Sequence, residues 1–187
     1  MSSEYEVLTR EDVMDLSYEL ASMIRSSGYE FDVIVGIARG GRIPARILCD
    51  LLQCDTLGTM RVRFYADVGK FMDKPVIEQD LNVDVKGKRV LLVDELVDTG
   101  KSLKVAIERV KEYEPKELKV ATYHIKPRTE IIPDFYVTVT DKRVVYPREY
   151  VEFTNYLIRK YGKRGKILAE MLGIPRRALE FVRFFRV

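Results

Sequence analysis

The segment FDVIVGIA (31–38) is short, rich in β-branched residues and apolar on both faces. A strand of that kind must be covered on both sides, which is the condition of a parallel sheet with helices above and below it. A second apolar run, KRVLLVD (88–94), reads as another strand, expected to end at its acids. Val13, Leu16, Leu20, Met23 and Ile24 recur at helical spacing, behind Thr9 and Asp12 at capping distance and ahead of Gly28. ARGGRIPARILCDLLQ supplies a glycine turn and then a helix, and a further helix is expected from about Ser102 to Tyr113. LGTMRVRFY (57–65), ELKVATYHI (117–125) and DFYVTVT (134–140) complete the strands. This alternation predicts an α/β fold, a parallel sheet flanked by helices. ADVGKFMDKPVIEQDLN (66–82) has no clear period and is expected to be a long loop, with at most a short strand at Val76–Ile77. Loops of such length in compact domains are more often functional than accidental.

The chain has 187 residues, enough for one domain and an appendage. A hydrophobic content of 47%, with both charge signs well represented, excludes a disordered chain. No apolar run reaches the ~18 residues that span a bilayer, and MSSEYEVLTRED lacks the basic and apolar pattern of a signal segment. Cys49 and Cys54 read as free thiols in an apolar stretch, so a reducing, cytoplasmic setting is expected. The net charge of +3 is unevenly spread. From Tyr156 onward nine bases face two acids, a local charge of +7 that leaves about −4 for the rest. We expect a domain over residues 1–150 and a basic helical extension over 151–187.

In parallel α/β sheets ligands bind beyond the C-terminal strand ends. VLLVDELVDTGKSL (90–103) lies at one such end. Asp98-Thr99-Gly100-Lys101-Ser102, opening a helix, offers outward main-chain N–H groups, a glycine that admits close approach, and two hydroxyls: the parts of a phosphate cradle. It is not the longer GxxxxGK[ST] loop, whose first glycine is absent. Carboxylates beside a phosphate repel it unless they hold hydroxyls or a divalent cation. Asp94 and Glu95 suit sugar hydroxyls or Mg²⁺; a solvated acidic turn is the plainer alternative.

VLLVDELVDTGKSL resembles the signature of the type I phosphoribosyltransferases: an apolar strand, two acids, two residues, then D/A-T-G-x-T/S. IVGIARGGRIPA (34–45) is similar to the family's diphosphate-binding loop, and RVRFYADVGKFMDKPVI stands in the place of its mobile catalytic loop. IKPRTEIIPDFYV (125–137) and DKRVVYPRE resemble the base-binding segments of short xanthine–guanine or hypoxanthine enzymes. The resemblance covers roughly residues 9–150. It implies the family fold, with a small base-binding hood, and Mg²⁺-dependent transfer of 5-phosphoribose from its 1-diphosphate to a purine. Asp94 and Glu95 would engage the ribose hydroxyls, directly or through the metal. Asp98, Thr99, Gly100, Lys101 and Ser102 would hold the 5-phosphate, Arg39 and Gly40 the diphosphate. Asp98 would also accept a proton from N7 of the purine. The long loop would close over the site and exclude water.

Lys126 aligns with the family lysine that meets the purine's 6-substituent. An ammonium has three donors and no acceptor, so it suits a 6-oxo group and opposes a 6-amino group. Hypoxanthine, guanine or xanthine is therefore expected over adenine. Arg143 stands where related enzymes carry an aromatic that stacks on the base, and Val144 follows where a backbone meets the ring edge. A guanidinium also stacks on purines, though Tyr146 is an alternative source of the ring. Lys101 replaces a common glycine, either adding charge near the phosphate or pointing to solvent. His124, the single histidine, reads as a core residue; Arg61 and Arg63 are sheet-surface residues or diphosphate partners across a subunit contact. A homodimer is expected from the resemblance alone.

The tail segment LAEMLGIPRRALEFV has the cadence of a helix-turn-helix, which leaves nucleic-acid binding open. Packing on the body or a partner subunit is favoured, because Leu168, Met171, Leu172, Leu179, Phe181, Phe184 and Phe185 are much apolar surface to leave wet. A salvage enzyme, a nucleotide-sensing regulator on the same fold and an adenine enzyme are the readings carried forward.

Overall fold

A computed structural model of the chain describes residues 4–67 and 70–182. In chain order its elements are β1 (Tyr5–Val7), α1 (Arg10–Ser26), β2 (Val33–Ala38), α2 (Arg42–Leu51), β3 (Leu57–Asp67) and β4 (Lys70–Gln79). These are followed by β5 (Arg89–Val97), α3 (Lys101–Lys111), β6 (Glu117–Ile125), β7 (Phe135–Val139) and β8 (Arg143–Val145). A short 3-10 turn at Pro147–Glu149 then leads into α4 (Tyr150–Tyr161), α5 (Arg164–Met171) and α6 (Arg176–Leu179). The chain divides into two compact units, Leu16–Thr140 and Met1–Asp15 with Asp141–Val187.

The larger unit holds a six-stranded sheet in the order β4-β3-β2-β5-β6-β7, parallel throughout except for the antiparallel edge strand β4. The two-sided apolar strands are its centre. Val33, Val35 and Ile37 of β2 share a buried cluster with Leu103, Ala106 and Val110 of α3. Gly36, between them, lies under α2: a methyl group there would stand 2.9 Å from Cβ of Ala45. Alternate residues of one strand thus feed opposite helical layers, as period-2 geometry requires.

Two expectations are corrected. Residues 70–79 form β4, not a loop: they pair antiparallel with β3, Val62 opposite Ile77 and Phe64 opposite Pro75. The edge of a sheet tolerates a proline, and the pairing slips twice along it, which removes the regular alternation a strand normally shows. The part of the expected loop at Val68–Gly69 lies outside the described residues. The strand expected to end at Asp94 continues to Val97, because β6 keeps pairing with it, Leu96 opposite His124 and Val97 opposite Ile125.

In the smaller unit β1 pairs in parallel with β8, Tyr5 opposite Arg143 and Val7 opposite Val145. Thr9 and Asp12 form the anticipated cap. The Asp12 amide donates to Thr9 Oγ1 at 3.1 Å, while the Thr9 amide and the Thr9 hydroxyl each donate to Asp12 Oδ2 at 2.7 Å, and these last two bonds hold the Asp12 carboxyl below its ordinary range. The helices α4, α5 and α6 bury Phe153, Leu157, Ala169, Ile174, Leu179 and Val182 around Tyr5, Val145 and Tyr150. Gly165 permits the tight crossing of α4 and α5, since a methyl group there would lie 2.3 Å from the Leu157 carbonyl oxygen. A boundary at residue 150 therefore falls inside this unit: the tail's apolar side chains share one core with the N-terminal strand and β8. Met171 and Phe181 stay exposed, against expectation, and Phe184 and Phe185 lie outside the described residues.

Candidate functional site

The site grows from one asymmetry in the sheet. β5 pairs with β2 only as far as Val93 opposite Gly36, but with β6 as far as Val97. On the β2 side the last stretch of β5, from Asp94 on, is therefore without a neighbouring strand, and the glycine turn that leaves β2 fills that space. A methyl group at position 41 would stand 2.4 Å from the carbonyl oxygen of Val93 and 2.8 Å from Cα of Asp94. Only glycine allows that approach. It brings the Arg39–Gly40 turn beside Asp94, and the peptide joining Ala38 to Arg39 is cis.

The two adjacent acids are not equivalent. Asp94 is partly exposed, while Glu95 is only 8% exposed. The Glu95 amide donates to Asp94 Oδ1 at 2.8 Å, fixing that carboxylate against its own strand. Asp94 is thus the better placed of the two to meet a ligand.

Beyond Val97 the chain passes through Asp98 and Thr99 into Gly100, whose φ of +86° only glycine adopts without strain. The first-turn amides of α3 at Ser102 and Leu103 have no intrahelical acceptor by construction, so this helix mouth is a set of donors for an anion. Lys101 and Ser102 open the helix, and the Lys101 amide makes a long contact of 3.4 Å with Thr99 Oγ1.

A third segment, residues 126–131, closes onto these two. The Lys126 amide donates to the Val97 carbonyl at 2.9 Å, and the Glu130 amide donates to the Thr99 carbonyl at 3.1 Å. Gly100 packs against the same segment, with Thr129 Oγ1 3.1 Å and the Ile131 amide nitrogen 3.2 Å from where its Cβ would be. Lys126 is 6% exposed. Asp98 accepts from Arg128, whose Nε lies 2.7 Å and Nη2 2.5 Å from Oδ1.

The larger unit thus gathers Arg39, Gly40, Asp94, Glu95, Asp98, Thr99, Gly100, Lys101, Ser102 and Lys126 on the chain ends around β2, β5 and β6. Arg143 and Val144 belong to the smaller unit. There Val144 is buried in β8, and the guanidinium of Arg143 lies 4.3 Å from the ring centre of Tyr156 and 5.2 Å from that of Phe153. His124 is fully enclosed within β6, as expected of a core residue. Arg61 and Arg63 both pair with Glu78 of β4, at 2.6 Å and 2.9 Å. Two residues escaped the sequence reading. Gly41 was signalled by the doubled glycine of ARGG; Arg128 carried no local signal, since its partner lies in a different loop.

Among the described residues no three His, Cys, Asp or Glu side chains cluster as a metal site. That arrangement fits Mg²⁺ nonetheless, because magnesium is commonly held by one or two carboxylates together with substrate phosphates and water. Asp94, partly open beside the glycine turn, supplies such a carboxylate. No helix among the described residues is long and apolar enough to cross a membrane.

An acid near the end of β5, a left-handed glycine opening a helix and a glycine turn packed on the acid's own backbone thus stand together at one edge of the sheet. The chain belongs to the phosphoribosyl transferase domain family, whose model matches residues 5–155. It is 42% identical to the purine phosphoribosyltransferase from Pyrococcus horikoshii Ot3, at a TM-score of 0.69, covering 77% of this chain and 93% of that one. The hypoxanthine-guanine phosphoribosyltransferase of Aquifex aeolicus (strain VF5) is 33% identical over 124 residues, 63% of this chain and 67% of that protein. The corresponding Mus musculus enzyme is 34% identical over 103 residues, so the chain spans 47% of that relative's length. The Helicobacter pylori xanthine-guanine-hypoxanthine phosphoribosyltransferase has the same fold, with a TM-score of 0.70 at 18% identity.

Proposed function

We propose that this protein transfers 5-phosphoribose from 5-phosphoribosyl 1-diphosphate to a 6-oxopurine, giving the nucleoside 5′-monophosphate and diphosphate in purine salvage. The observation that carries the reading is the stitching of the Lys126 segment to both ends of the Asp98 turn, through Val97 and Thr99. It sets a buried ammonium, a carboxylate and a phosphate-binding helix mouth on neighbouring backbone. A phosphate at that mouth, a sugar at Asp94 and a base before Lys126 is the order of groups in the product.

In this reading the amides of residues 99–102 and the Ser102 hydroxyl bind the 5-phosphate. The Arg39–Gly40 turn binds the diphosphate, and Arg39 neutralises charge as it leaves. Lys126 donates to the 6-oxo oxygen and faces donor against donor at adenine. Asp98 takes the proton of the base. Mg²⁺, held by Asp94 with Glu95 behind it, would supply charge neutralisation of the sugar diphosphate. Arg143 and Val144 are proposed as base contacts on the resemblance alone, as are a homodimeric assembly and a cytoplasmic location. Nucleic-acid binding by the tail is disfavoured, since much of its apolar surface is taken up in its own core.

The test is incubation of the purified protein with Mg²⁺, the sugar diphosphate and, separately, hypoxanthine, guanine, xanthine and adenine, with nucleotide product resolved by chromatography. Nucleotide from at least one 6-oxopurine and little from adenine is expected. No nucleotide from any base would defeat the proposal.

A further inference from the structure

Asp98 is held from three directions by one short segment. The residue before it, Val97, accepts from the Lys126 amide at 2.9 Å, and the residue after it, Thr99, accepts from the Glu130 amide at 3.1 Å. Between those anchors the segment makes a tight turn, with the Thr129 amide donating to the Lys126 carbonyl at 3.0 Å. Pro127 stiffens the turn, and Arg128 stands at its crest, where its guanidinium meets the Asp98 side chain. Both contacting nitrogens converge on the same oxygen, Oδ1, at 2.5 Å and 2.7 Å. Among the described residues Oδ2 has no partner.

Stability does not account for this pair. The side chains are 66% and 49% exposed, and ion pairs in that setting contribute little to folding. What the pair does achieve is orientation. A carboxylate on a loop rotates freely; one whose Oδ1 is engaged by two nitrogens of a planar fork does not.

We propose that Arg128 is a positioning residue for the proton transfer, pinning Oδ1 of Asp98 so that Oδ2 is presented to the ring N–H of the base. The inference rests on the phosphoribosyl-transfer reading. The N7–H bond of the purine breaks and its proton passes to Oδ2. N9 forms the new bond to the anomeric carbon, and the bond from that carbon to diphosphate oxygen breaks, its electron pair leaving with diphosphate. Arg128 touches neither substrate; it acts through Asp98.

The experiment compares wild type, R128Q, R128K, D98N and the double variant D98N/R128Q. Steady-state kinetics are measured in each substrate, and sugar-diphosphate affinity by calorimetry without base. R128Q is expected to lower kcat roughly tenfold, a fraction of the 10²–10⁴ carried by general base catalysis, with both KM values and the sugar-diphosphate affinity within about twofold of wild type. R128K, which keeps the charge but not the fork, should recover part of kcat. In the D98N background R128Q should cost nothing further, as residues acting in one unit are non-additive. Wild-type kcat in R128Q, an additive loss in the double variant, or a higher KM for the sugar diphosphate at unchanged kcat would each overturn the proposal. An inactive wild type removes the transferase reading itself and this inference with it. An active wild type with an unaltered R128Q removes the inference alone.

Discussion

The Lys126 amide lies 2.9 Å from the Val97 carbonyl, so the residue proposed to read the base begins where the acid-bearing strand ends. That bond continues the β5–β6 ladder one step past the sheet and fixes the lysine's height above it. We expect K126Q to keep the fold, because the bond is made by main chain. The amide side chain offers an acceptor as well as a donor, so the ratio of kcat/KM for adenine to that for hypoxanthine should rise at least about tenfold. An unaltered ranking in a four-base competition assay would remove Lys126 from base recognition.

D98N retains the shape of the side chain and loses the acceptor charge. Calorimetry should show sugar-diphosphate binding close to that of wild type, while turnover falls by about 10²–10⁴. Unchanged turnover would take Asp98 out of the chemistry.

The glycine at 41 permits a backbone contact, and its replacement is a packing error at the site. G41A puts a methyl group 2.4 Å from the Val93 carbonyl oxygen, against main chain that cannot swing aside. A loss of about 1–3 kcal/mol is expected in urea unfolding, with weakened sugar-diphosphate binding as the Arg39–Gly40 turn is pushed off Asp94. Wild-type values for both would mean that the turn accommodates the methyl group elsewhere.

The strands at the sheet centre were legible because burial on both faces leaves only apolar residues, and no other element of that length is so uniform. β4 was not, because Pro75 and two slips of register interrupt an edge strand that needs alternation to be recognised. The acids misled in a different way: Asp94 and Glu95 look like the end of a strand, yet β6 carries the pairing past them. The Asp98–Ser102 turn and the helix it opens could be read, since a glycine turn ahead of a helix is a local matter. Arg128 could not, because an ion pair between two loops leaves no trace in either. The tail's helical cadence was visible, but its partners Tyr5 and Val145 lie far away in sequence.

The tail's role as a core is open to measurement. Phe153 and Leu157 are almost fully enclosed among Tyr5, Ala169 and Leu179. F153A should cost about 3–5 kcal/mol and L157A about 2–5 kcal/mol in the stability of the unit that holds them, read by urea unfolding. Truncation after Phe153 should expose that core and lower solubility. A shortened protein that stays soluble and melts as before would show that residues 154–187 contribute no packing.

Acid sensitivity has an assignable source at Asp32. Its Oδ2 accepts from the Arg89 amide at 2.8 Å and its Oδ1 from the guanidinium at 2.9 Å, which hold its pKa down to about 2. The unfolded chain would bind the proton near 3.9. A depressed folded value gives stability that is present above about pH 4 and drains away as pH falls toward 2. D32N should therefore be less stable than wild type at pH 5, the gap closing by pH 2 in urea titrations at each pH. A gap that stays constant would place the effect in packing instead.

β1 and β8 are hydrogen-bonded neighbours, although the whole six-stranded domain is encoded between them. On the ribosome, Tyr5–Val7 emerges early and then has nothing to pair with until Arg143–Val145 follows, a wait of roughly ten seconds at the usual 5–20 residues per second. The sheet domain has every strand it needs before that moment. Synthesis therefore imposes an order: the central domain matures first, and the unit made from both flanks of the chain closes last.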